Sequence, residues 1–368
     1  MRRTGRMILI FLLIIGCMAG LWIFQSWREA GQMQQESTLY NVYVKGISGS
    51  SIQVLHDGNV EHYTTASAVT GQAVTGVADL HLQKDAVVRI VKKPEQVKGK
   101  ILKLTEDYIT LDGYGEVARD HNFVVYRMDQ KGNVSQGEVS DLMIGAVNVR
   151  FVAVQQRLCA AVIPADKVTD IRVILENNGS GSYDMDKVVV SSDSGFTVTQ
   201  GERTSLHGNG DKLTLTPDQV KERLVLRAGQ GGRLRVENLK RTQGTPAYRG
   251  VLEIERAGKA LHVINELPLE EYLYSVVPSE MPTEYATEAL KAQAVCARSY
   301  AVQQMQNHRL AEFGAHVDDS VSFQVYNNLK EDARAIAAVN ATRNQIVSYK
   351  GKIAATYFYS TSCGSSAG

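Results

Sequence analysis

Residues 267–301, LPLEEYLYSVVPSEMPTEYATEALKAQAVCARSYA, contain the pattern that decides the fold and points to the function. The first part, 267–277, combines an early proline, two acidic residues and regularly spaced apolar residues, which is typical of an amphipathic helix. Pro278 disfavours the helical conformation at the residue before it, so we expect a rigid, non-helical turn at Pro278–Pro282. The ionisable side chain of that turn is Glu280, and a carboxylate fixed between prolines has little structural use. We therefore predict a functional role for it.

A second predicted helix follows directly. Thr287 can cap a helix that runs from Glu288 to about Gln306. Small residues on one face of this helix let another element approach closely, which predicts a central position in the domain. Gln293 and Arg298 lie on the same Ala-rich helix and need polar partners if they are buried. They either brace the fold or border a polar cleft, and the sequence leaves both interpretations open.

The composition excludes several classes of protein. The chain has 368 residues and 44% hydrophobic residues, enough for about two globular domains. The net charge is +1, without a basic stripe, which argues against nucleic acid as a partner. Three of the four cysteines lie beyond the N-terminal segment, an odd number that does not indicate a disulfide framework, although a Cys296–Cys363 bridge stays an alternative. No Cys or His pair has the spacing of metal ligands, so we predict no metal and no cofactor.

The N-terminal segment predicts attachment to a membrane. Three arginines among the first six residues precede the uncharged apolar run Met7–Phe24, which would span about 27 Å as a helix. We predict an uncleaved single-pass anchor with its N-terminus in the cytoplasm. A cleaved signal peptide and a lipoprotein modified at Cys17 are alternatives. On all three interpretations, the chain after residue 28 is extracytoplasmic.

The remaining sequence divides into a stalk and two domains. After the tail and anchor (1–27), residues 28–38 are polar and are predicted to form the stalk. Residues 39–165 alternate apolar and polar positions between turn signals, which predicts an all-β domain that serves as a spacer or a binding module. Residues 168–368 predict a mixed domain in which antiparallel strands surround the Ala-rich helix, and we expect this domain to continue beyond the last residue. The predicted fold class is α+β with an N-terminal transmembrane helix.

Five motifs in a fixed order carry a resemblance to a known family. They are LPLEEYLYSVVPSEMP, EALKAQAVCARSYA, FQVY, ATRNQIVSYKGK and FYSTSCG. In this order they resemble the SpoIID/LytB family across roughly residues 168–368. Residues 39–165 lie outside the resemblance.

The resemblance implies peptidoglycan chemistry. The sporulation members of the family are lytic transglycosylases that cut glycan strands after the stem peptides have been removed. Their catalytic acid is the Glu of the EMP motif, which corresponds to Glu280. Hydrolysing glycosidases usually need two carboxylates. In a lytic transglycosylase a single carboxyl group can suffice. It donates a proton and then accepts a proton while the muramyl 6-hydroxyl closes a 1,6-anhydro ring. This cycle needs a raised pKa of Glu280, which apolar surroundings would favour.

The resemblance also suggests residues that line the sugar groove. These candidates are Gln293, Arg298, Gln324, Tyr326 and Ser362. Sporulation members can carry a Cys pair beside the FQVY motif that holds a metal together with a nearby His. Here Asp318, Ser322 and Phe323 occupy that segment, so zinc is not predicted, although His316 is retained. Asp318 and Asp319 form either a hard-cation site or a solvated acidic loop.

We therefore predict a membrane-anchored, extracytoplasmic lytic transglycosylase that cleaves between N-acetylmuramic acid and N-acetylglucosamine without adding water. The expected partners are peptidoglycan glycan strands, the cytoplasmic membrane through residues 7–24, and other cell-wall hydrolases. Two alternatives remain. One is a non-catalytic glycan-binding module that stimulates a wall amidase, and the other is a structural protein of an envelope assembly, such as that of sporulation.

Overall fold

A computed structural model describes residues 36–165, 168–326 and 329–358. The described residues form two compact units, 36–94 and 95–358. The division at Pro94 and Glu95 falls inside the segment that the sequence analysis treats as one β-rich domain. The predicted domain boundaries stay a prediction.

The first unit is a closed five-stranded barrel. Its strands are β1 (Glu36–Ser48), β2 (Ser51–His56), β3 (Asn59–Thr65), β4 (Gly76–Gln83) and β5 (Ala86–Lys92). The order is β1-β2-β3-β5-β4, and β1 closes the barrel by pairing with both β2 and β4. Alternate residues of β1 and β2 fill the interior, because successive side chains of a strand point to opposite faces. Examples are Val42, Val44, Ile52 and Val54, all at most 1% exposed.

The second unit begins with a seven-stranded sheet. Its strands are β6 (Glu95–Val97), β7 (Ile101–Leu104), β8 (Tyr108–Leu111), β9 (Gly115–Met128), β10 (Val134–Gly137), β11 (Arg150–Val154) and β12 (Arg157–Ile163), with a 3-10 helix at Val139–Asp141. The order is β6-β11-β12-β9-β8-β7, and β10 adds to β9. This sheet has its own core, which includes Ile101, Ile109 and Phe151.

Two further sheets enclose the main core of the second unit. Their strands are β13 (Asp170–Ile174), β14 (Val188–Ser192), β15 (Phe196–Gln200), β16 (Arg203–His207), β17 (Lys212–Leu215), β18 (Leu224–Ala228), β19 (Leu234–Val236), β20 (Ala247–Tyr248), β21 (Val251–Ala257), β22 (Ala260–Pro268) and β23 (Val317–Asp318). One sheet has the order β16-β15-β18-β21-β22-β13-β23, and the other has the order β17-β14-β19-β20. Apolar residues of both sheets and of the helices meet in one cluster.

The described residues contain three α-helices, all after β22. They are α1 (Leu269–Glu280), α2 (Thr287–Gln306) and α3 (Ala333–Ala341); a 3-10 helix spans Ala311–Phe313, and the hairpin β24 (Ser348–Tyr349) and β25 (Lys352–Ile353) follows α3. Helix α2 is central, as predicted, because both α1 and α3 pack on it. Its Ala294 and Ala297 are fully buried. The cap position is Ala286 rather than Thr287, and no side chain caps the helix.

Helix α1 continues through Pro278 to Glu280, so the predicted non-helical turn at Pro278–Pro282 is wrong. Proline removes one backbone hydrogen bond from a helix. The loss is tolerated in the last turn, where Met281 N–H donates to Val277 O at 3.0 Å, and the apolar face of the helix stays buried. The consequence is that Glu280 is the last residue of a helix rather than part of a free turn.

The predicted α+β fold class is wrong, because 44% of the described residues lie in strands and 15% in helices. The fold is predominantly β. The helical pattern is concentrated in residues 269–341, whereas strands make up most of the chain before it. None of the helices described has both the length and the apolar character needed to cross a bilayer. The predicted anchor, Met7–Phe24, lies outside the described residues.

Candidate active site

Glu280 is placed at the end of α1 against the segment that follows β23. Its Oε1 accepts a hydrogen bond of 2.7 Å from Val325 N–H. The neighbouring Ser279 accepts a bond of 3.2 Å from Leu329 N–H and donates one of 2.7 Å to Ser275 O. The last turn of α1 therefore holds the chain on both sides of residues 326–329.

The surroundings of Glu280 favour its neutral form. Burial of the half-buried carboxyl raises its pKa above the ordinary value, and the hydrogen bond from Val325 opposes this to a smaller extent. Within the part of the chain that the structure describes, no Lys, Arg or His forms an ion pair with Glu280. A raised pKa suits a carboxyl group that acts as a general acid.

Glu280 lines a cleft of about 550 Å³. The walls are formed by Pro278–Thr283 at the end of α1, by Gln243, and by Leu329–Asp332 ahead of α3. This volume lies within the range of ligand sites, about 300–1,000 Å³. The lining is largely polar, which suits a hydroxyl-rich ligand.

A second carboxylate, Glu331, lines the same cleft in a different environment. Arg249 binds both of its oxygens, at 2.7 and 2.8 Å, and Arg233 adds a third contact at 2.8 Å. Burial would raise the pKa of Glu331, but the two guanidinium groups outweigh that effect and lower it. The pKa values of the two carboxyl groups of the cleft are therefore shifted in opposite directions. Of the two, Glu280 is the better suited to donate a proton.

Asp318 and Asp319 line an adjoining cleft of about 750 Å³. Asp318 accepts hydrogen bonds from Tyr183 OH (2.9 Å) and Ser320 N–H (2.9 Å). Asp319 forms an ion pair with Arg241. Each aspartate is only 5% exposed. The expected solvated acidic loop is therefore wrong, since both carboxylates are buried and already have protein partners.

His316 is also used by the fold. Its Nδ1 accepts a bond of 3.0 Å from Arg172 N–H, and its Nε2 donates one of 3.1 Å to Ile144 O. Burial, with the charge of Arg172, lowers the pKa of His316 to about 3. Both ring nitrogens are occupied, so this histidine is not available as a metal ligand. Across the described ranges, no group of three or more His, Cys, Asp or Glu side chains is arranged to hold a metal ion.

Arg298 and Gln293, both predicted to line the groove, are buried in α2. The guanidinium of Arg298, 1% exposed, pairs with both oxygens of Glu270 at 2.9 and 2.8 Å and also binds Gln345 O at 3.1 Å. These contacts favour the bracing interpretation. The Nε2 of Gln293 is buried and has no hydrogen-bond partner among residues 36–165, 168–326 and 329–358. Its role stays a prediction.

Gln324 and Tyr326 flank the amide that binds Glu280, but each is only 1% exposed. Tyr326 OH donates to Asn265 Oδ1 at 2.7 Å. Gln324 binds Tyr272 OH and Ala297 O, each at 3.3 Å. Both side chains therefore point into the core rather than into the cleft. Ser362, the remaining candidate, lies outside the described residues.

Sequence reasoning missed three contributors to the site. Val325 contributes a backbone N–H, which no side-chain pattern can reveal. Ser279 was treated only as part of the proline turn. Glu331 was not singled out, although its position beside Asp332, the residue that caps α3, was a signal of a role outside that helix.

Comparison with known proteins identifies the family of this region. Residues 257–349 match the family model described as stage II sporulation protein. The chain is 38% identical over 120 residues to stage II sporulation protein D of Bacillus amyloliquefaciens, covering 28% of this chain and 34% of that protein. It is 41% identical over 119 residues to an uncharacterized protein of Brachyspira hyodysenteriae, covering 32% of each chain.

A further relative is the amidase enhancer of Bacillus subtilis, with 36% identity over 92 residues, 25% of this chain and 12% of that protein. The chain thus spans about a third or less of the length of the curated relatives it matches. The matched residues 257–349 include Glu280, helices α1 to α3 and the Val325 amide. Residues 257–349 of this chain are therefore a SpoIID domain.

Proposed function

We propose that this protein is a lytic transglycosylase that cleaves peptidoglycan glycan strands between N-acetylmuramic acid and N-acetylglucosamine. Family membership and the similarity to an amidase enhancer fit a role related to the cell wall. The observation that supports the proposal most strongly is Glu280 itself. It is a half-buried carboxyl group in a polar cleft, bound by one backbone N–H and paired with no cation in the described chain.

The proposed reaction uses Glu280 twice. The Oε1 atom accepts from Val325 N–H, so the proton resides on Oε2 and passes to the bridging glycosidic oxygen as the C1–O bond breaks. The substrate's N-acetyl oxygen supports the positive charge at C1. The ionised Glu280 then takes the proton of the muramyl 6-hydroxyl as O6 bonds to C1. The products are a 1,6-anhydro end and a free 4-hydroxyl, no water is consumed, and Glu280 ends protonated.

The state of Glu331 supports a reaction with a single carboxylate. An inverting or retaining hydrolase uses its second carboxylate to activate water or to attack the sugar. Both oxygens of Glu331 are occupied by guanidinium donors, and its pKa is lowered. Glu331 therefore holds the cleft wall in place, while the substrate supplies the nucleophile.

The proposal extends to location and setting. Peptidoglycan lies outside the cytoplasmic membrane, so the 95–358 unit acts outside the cytoplasm. The relatives named stage II sporulation protein D suggest wall remodelling during sporulation as the setting. The second candidate function is a non-catalytic glycan-binding module that assists a wall hydrolase, and the similarity to an amidase enhancer favours it.

Product analysis on glycan strands freed of stem peptides separates these functions. We expect the purified chain to release fragments with 1,6-anhydro ends, detected by mass spectrometry. Glu280→Gln should reduce the rate by about 10²–10⁴-fold. Glu288→Gln is the matched control, since Glu288 is an exposed residue paired with Lys291 on the surface of α2. Glycan binding without cleavage, unchanged by Glu280→Gln, would support the non-catalytic module. Reducing ends that contain oxygen from water would indicate a hydrolase.

A further inference from the structure

We propose that Gln324 and Tyr326 are positioning residues that hold the Val325 N–H against the carboxylate of Glu280, rather than contacts for the sugar. The inference rests on the proposed function, because it concerns the group that would donate the proton. It goes beyond that function by assigning a role to two side chains that do not reach the cleft. It is carried by a set of buried hydrogen bonds on each side of Val325.

On one side, Tyr326 ties the segment to the middle of a sheet. Its OH donates to Asn265 Oδ1 at 2.7 Å. Asn265 is fully buried on β22, and its Nδ2 donates to Arg249 O (2.8 Å) and Val251 O (3.0 Å). The side chain of Asn265 is thus fixed by two backbone groups, and it fixes Tyr326 in turn.

On the other side, Gln324 ties the segment to two helices. Its Oε1 accepts from Tyr272 OH on α1, and its Nε2 donates to Ala297 O on α2. The rings of Tyr272 and Tyr326 also pack together, with centroids 4.9 Å apart. The residues before and after Val325 are therefore anchored in the core through a sheet and both long helices.

This anchoring fixes the direction of the amide between the two side chains. A donor that is held by packed, hydrogen-bonded neighbours needs no reorganisation when it binds its acceptor. The Val325 N–H stabilises the ionised form of Glu280, whereas burial stabilises the neutral form. Since Glu280 must give a proton in one step and accept one in the next, the balance of these two effects sets the pH range of the reaction.

A direct role in sugar binding does not fit these two side chains. Each is 1% exposed. Both ends of the Gln324 amide already have protein partners, and the hydroxyl proton of Tyr326 is donated to Asn265. A sugar would have to displace core hydrogen bonds to reach either of them.

Tyr326→Phe tests the inference, because it removes one hydroxyl group and keeps the ring. The titration of Glu280 is followed by NMR of glutamate labelled at the side-chain carboxyl carbon, with the signal assigned from Glu280→Gln. We expect Glu280 in Tyr326→Phe to titrate at a higher pH than in the unsubstituted protein, because the Val325 donor is less well held. The pH profile of glycan cleavage should shift in the same direction, with kcat changed and KM nearly constant.

Two further variants complete the experiment. Gln324→Met removes the bonds on the other side of Val325 and should shift the titration in the same direction. Tyr274→Phe is the control. Tyr274 lies on α1, as Tyr272 does, but its hydroxyl donates to Asn340 Oδ1, so its removal should leave the titration unchanged. Unchanged titration of Glu280 in both Tyr326→Phe and Gln324→Met, despite lower stability, would overturn the inference. A shifted titration without any cleavage by the unsubstituted protein would leave the positioning role intact and reject the proposed function.

Discussion

Glu253 is fully buried and Glu280 is half-buried, but Glu253 is surrounded by cations whereas Glu280 has a single backbone donor. Glu253 is 3% exposed and forms ion pairs with Arg172 (2.7 Å), Arg223 (2.9 Å) and Lys100 (3.0 Å). Burial would raise the pKa of Glu253, yet these cations outweigh it and the pKa lies well below the ordinary value. For Glu280 the balance is reversed, and its pKa is raised.

The difference separates a structural carboxylate from a reactive one. The cluster around Glu253 also includes Glu266, which binds both Lys100 and Arg172. Lys100 directly precedes β7, so the cluster connects the start of that strand to β13, β21 and β22. The fold tolerates the buried charges of this cluster because each has a partner of opposite charge. The carboxyl of Glu280 lacks such partners and is left free to exchange a proton.

The comparison predicts a large loss of stability when the cluster is broken. Arg172→Met leaves Glu253 and Glu266 buried with fewer cations, and we expect the free energy of unfolding to fall by about 3–5 kcal/mol. Urea unfolding measures this change. Arg256→Met is the control, since Arg256 pairs with the exposed Asp218 at 3.7 Å, and the loss should be at most about 1 kcal/mol. Similar losses of unfolding free energy in Arg172→Met and Arg256→Met would show that the buried cluster contributes no more to stability than an exposed ion pair does.

Arg298 tests whether a charged residue that the sequence predicted to line the groove belongs instead to the structural class. Because its contacts are with Glu270 and backbone carbonyls, Arg298→Met should lower the free energy of unfolding by about 3 kcal/mol. Glycan affinity, measured at a temperature where the variant is folded, should not change. A lower affinity with full stability would instead restore Arg298 as a groove residue.

The pH dependence of Glu253→Gln has a defined sign. The pKa of Glu253 is lower in the folded state than in the unfolded state, where it is about 4.3. The carboxylate of Glu253 therefore stabilises the fold above pH 4.3, and this stabilisation is lost as the pH falls toward the folded pKa. The destabilisation caused by Glu253→Gln should therefore be largest at pH 7 and decrease steadily between about pH 4.3 and pH 2. Unfolding curves across this range test it, and a difference that does not vary with pH would contradict it.

Glu280→Gln should have the smallest effect on stability, with the opposite sign. A raised pKa means that the folded state loses stability as the pH rises through the folded value. Removing the ionisable group should therefore stabilise the protein slightly at pH 7, and the stabilisation should be smaller at pH 4. Differential scanning calorimetry at both pH values checks this. Destabilisation by Glu280→Gln at pH 7 would show that the carboxylate of Glu280 stabilises the fold, as that of Glu253 does.

Local patterns predicted much of the architecture. The alternation of apolar and polar residues between turn signals predicted strands in residues 39–165, where nearly all of β1 to β12 lies. Small residues on one face predicted the central position of α2. These features follow from a period of two or of 3.6 residues, which a sequence displays directly. Strand β16, with the mostly polar sequence Arg203–His207, lies at the edge of its sheet and has no such pattern.

The features that depend on distant contacts could not be predicted in this way. Arg172 interrupts the apolar run 171–175, which was a signal of a buried ion pair, but only strand register places it opposite Glu266. Helix α1 continues through Pro278 because burial of its apolar face outweighs the local tendency of proline to end a helix. The Val325 amide has no side-chain signal at all, so the sequence could single out Glu280 but not the group that binds it.

The central claim is that Glu280 retains its proton to a higher pH than an ordinary glutamate because it is buried without a cation. The most direct test is the carboxyl-carbon NMR titration of the unsubstituted protein, with the Glu280 signal identified by its absence in Glu280→Gln. We expect a midpoint above the ordinary glutamate value of about 4.3. A midpoint at or below that value would contradict this expectation, since burial would then not raise the pKa of Glu280 above that of an ordinary glutamate.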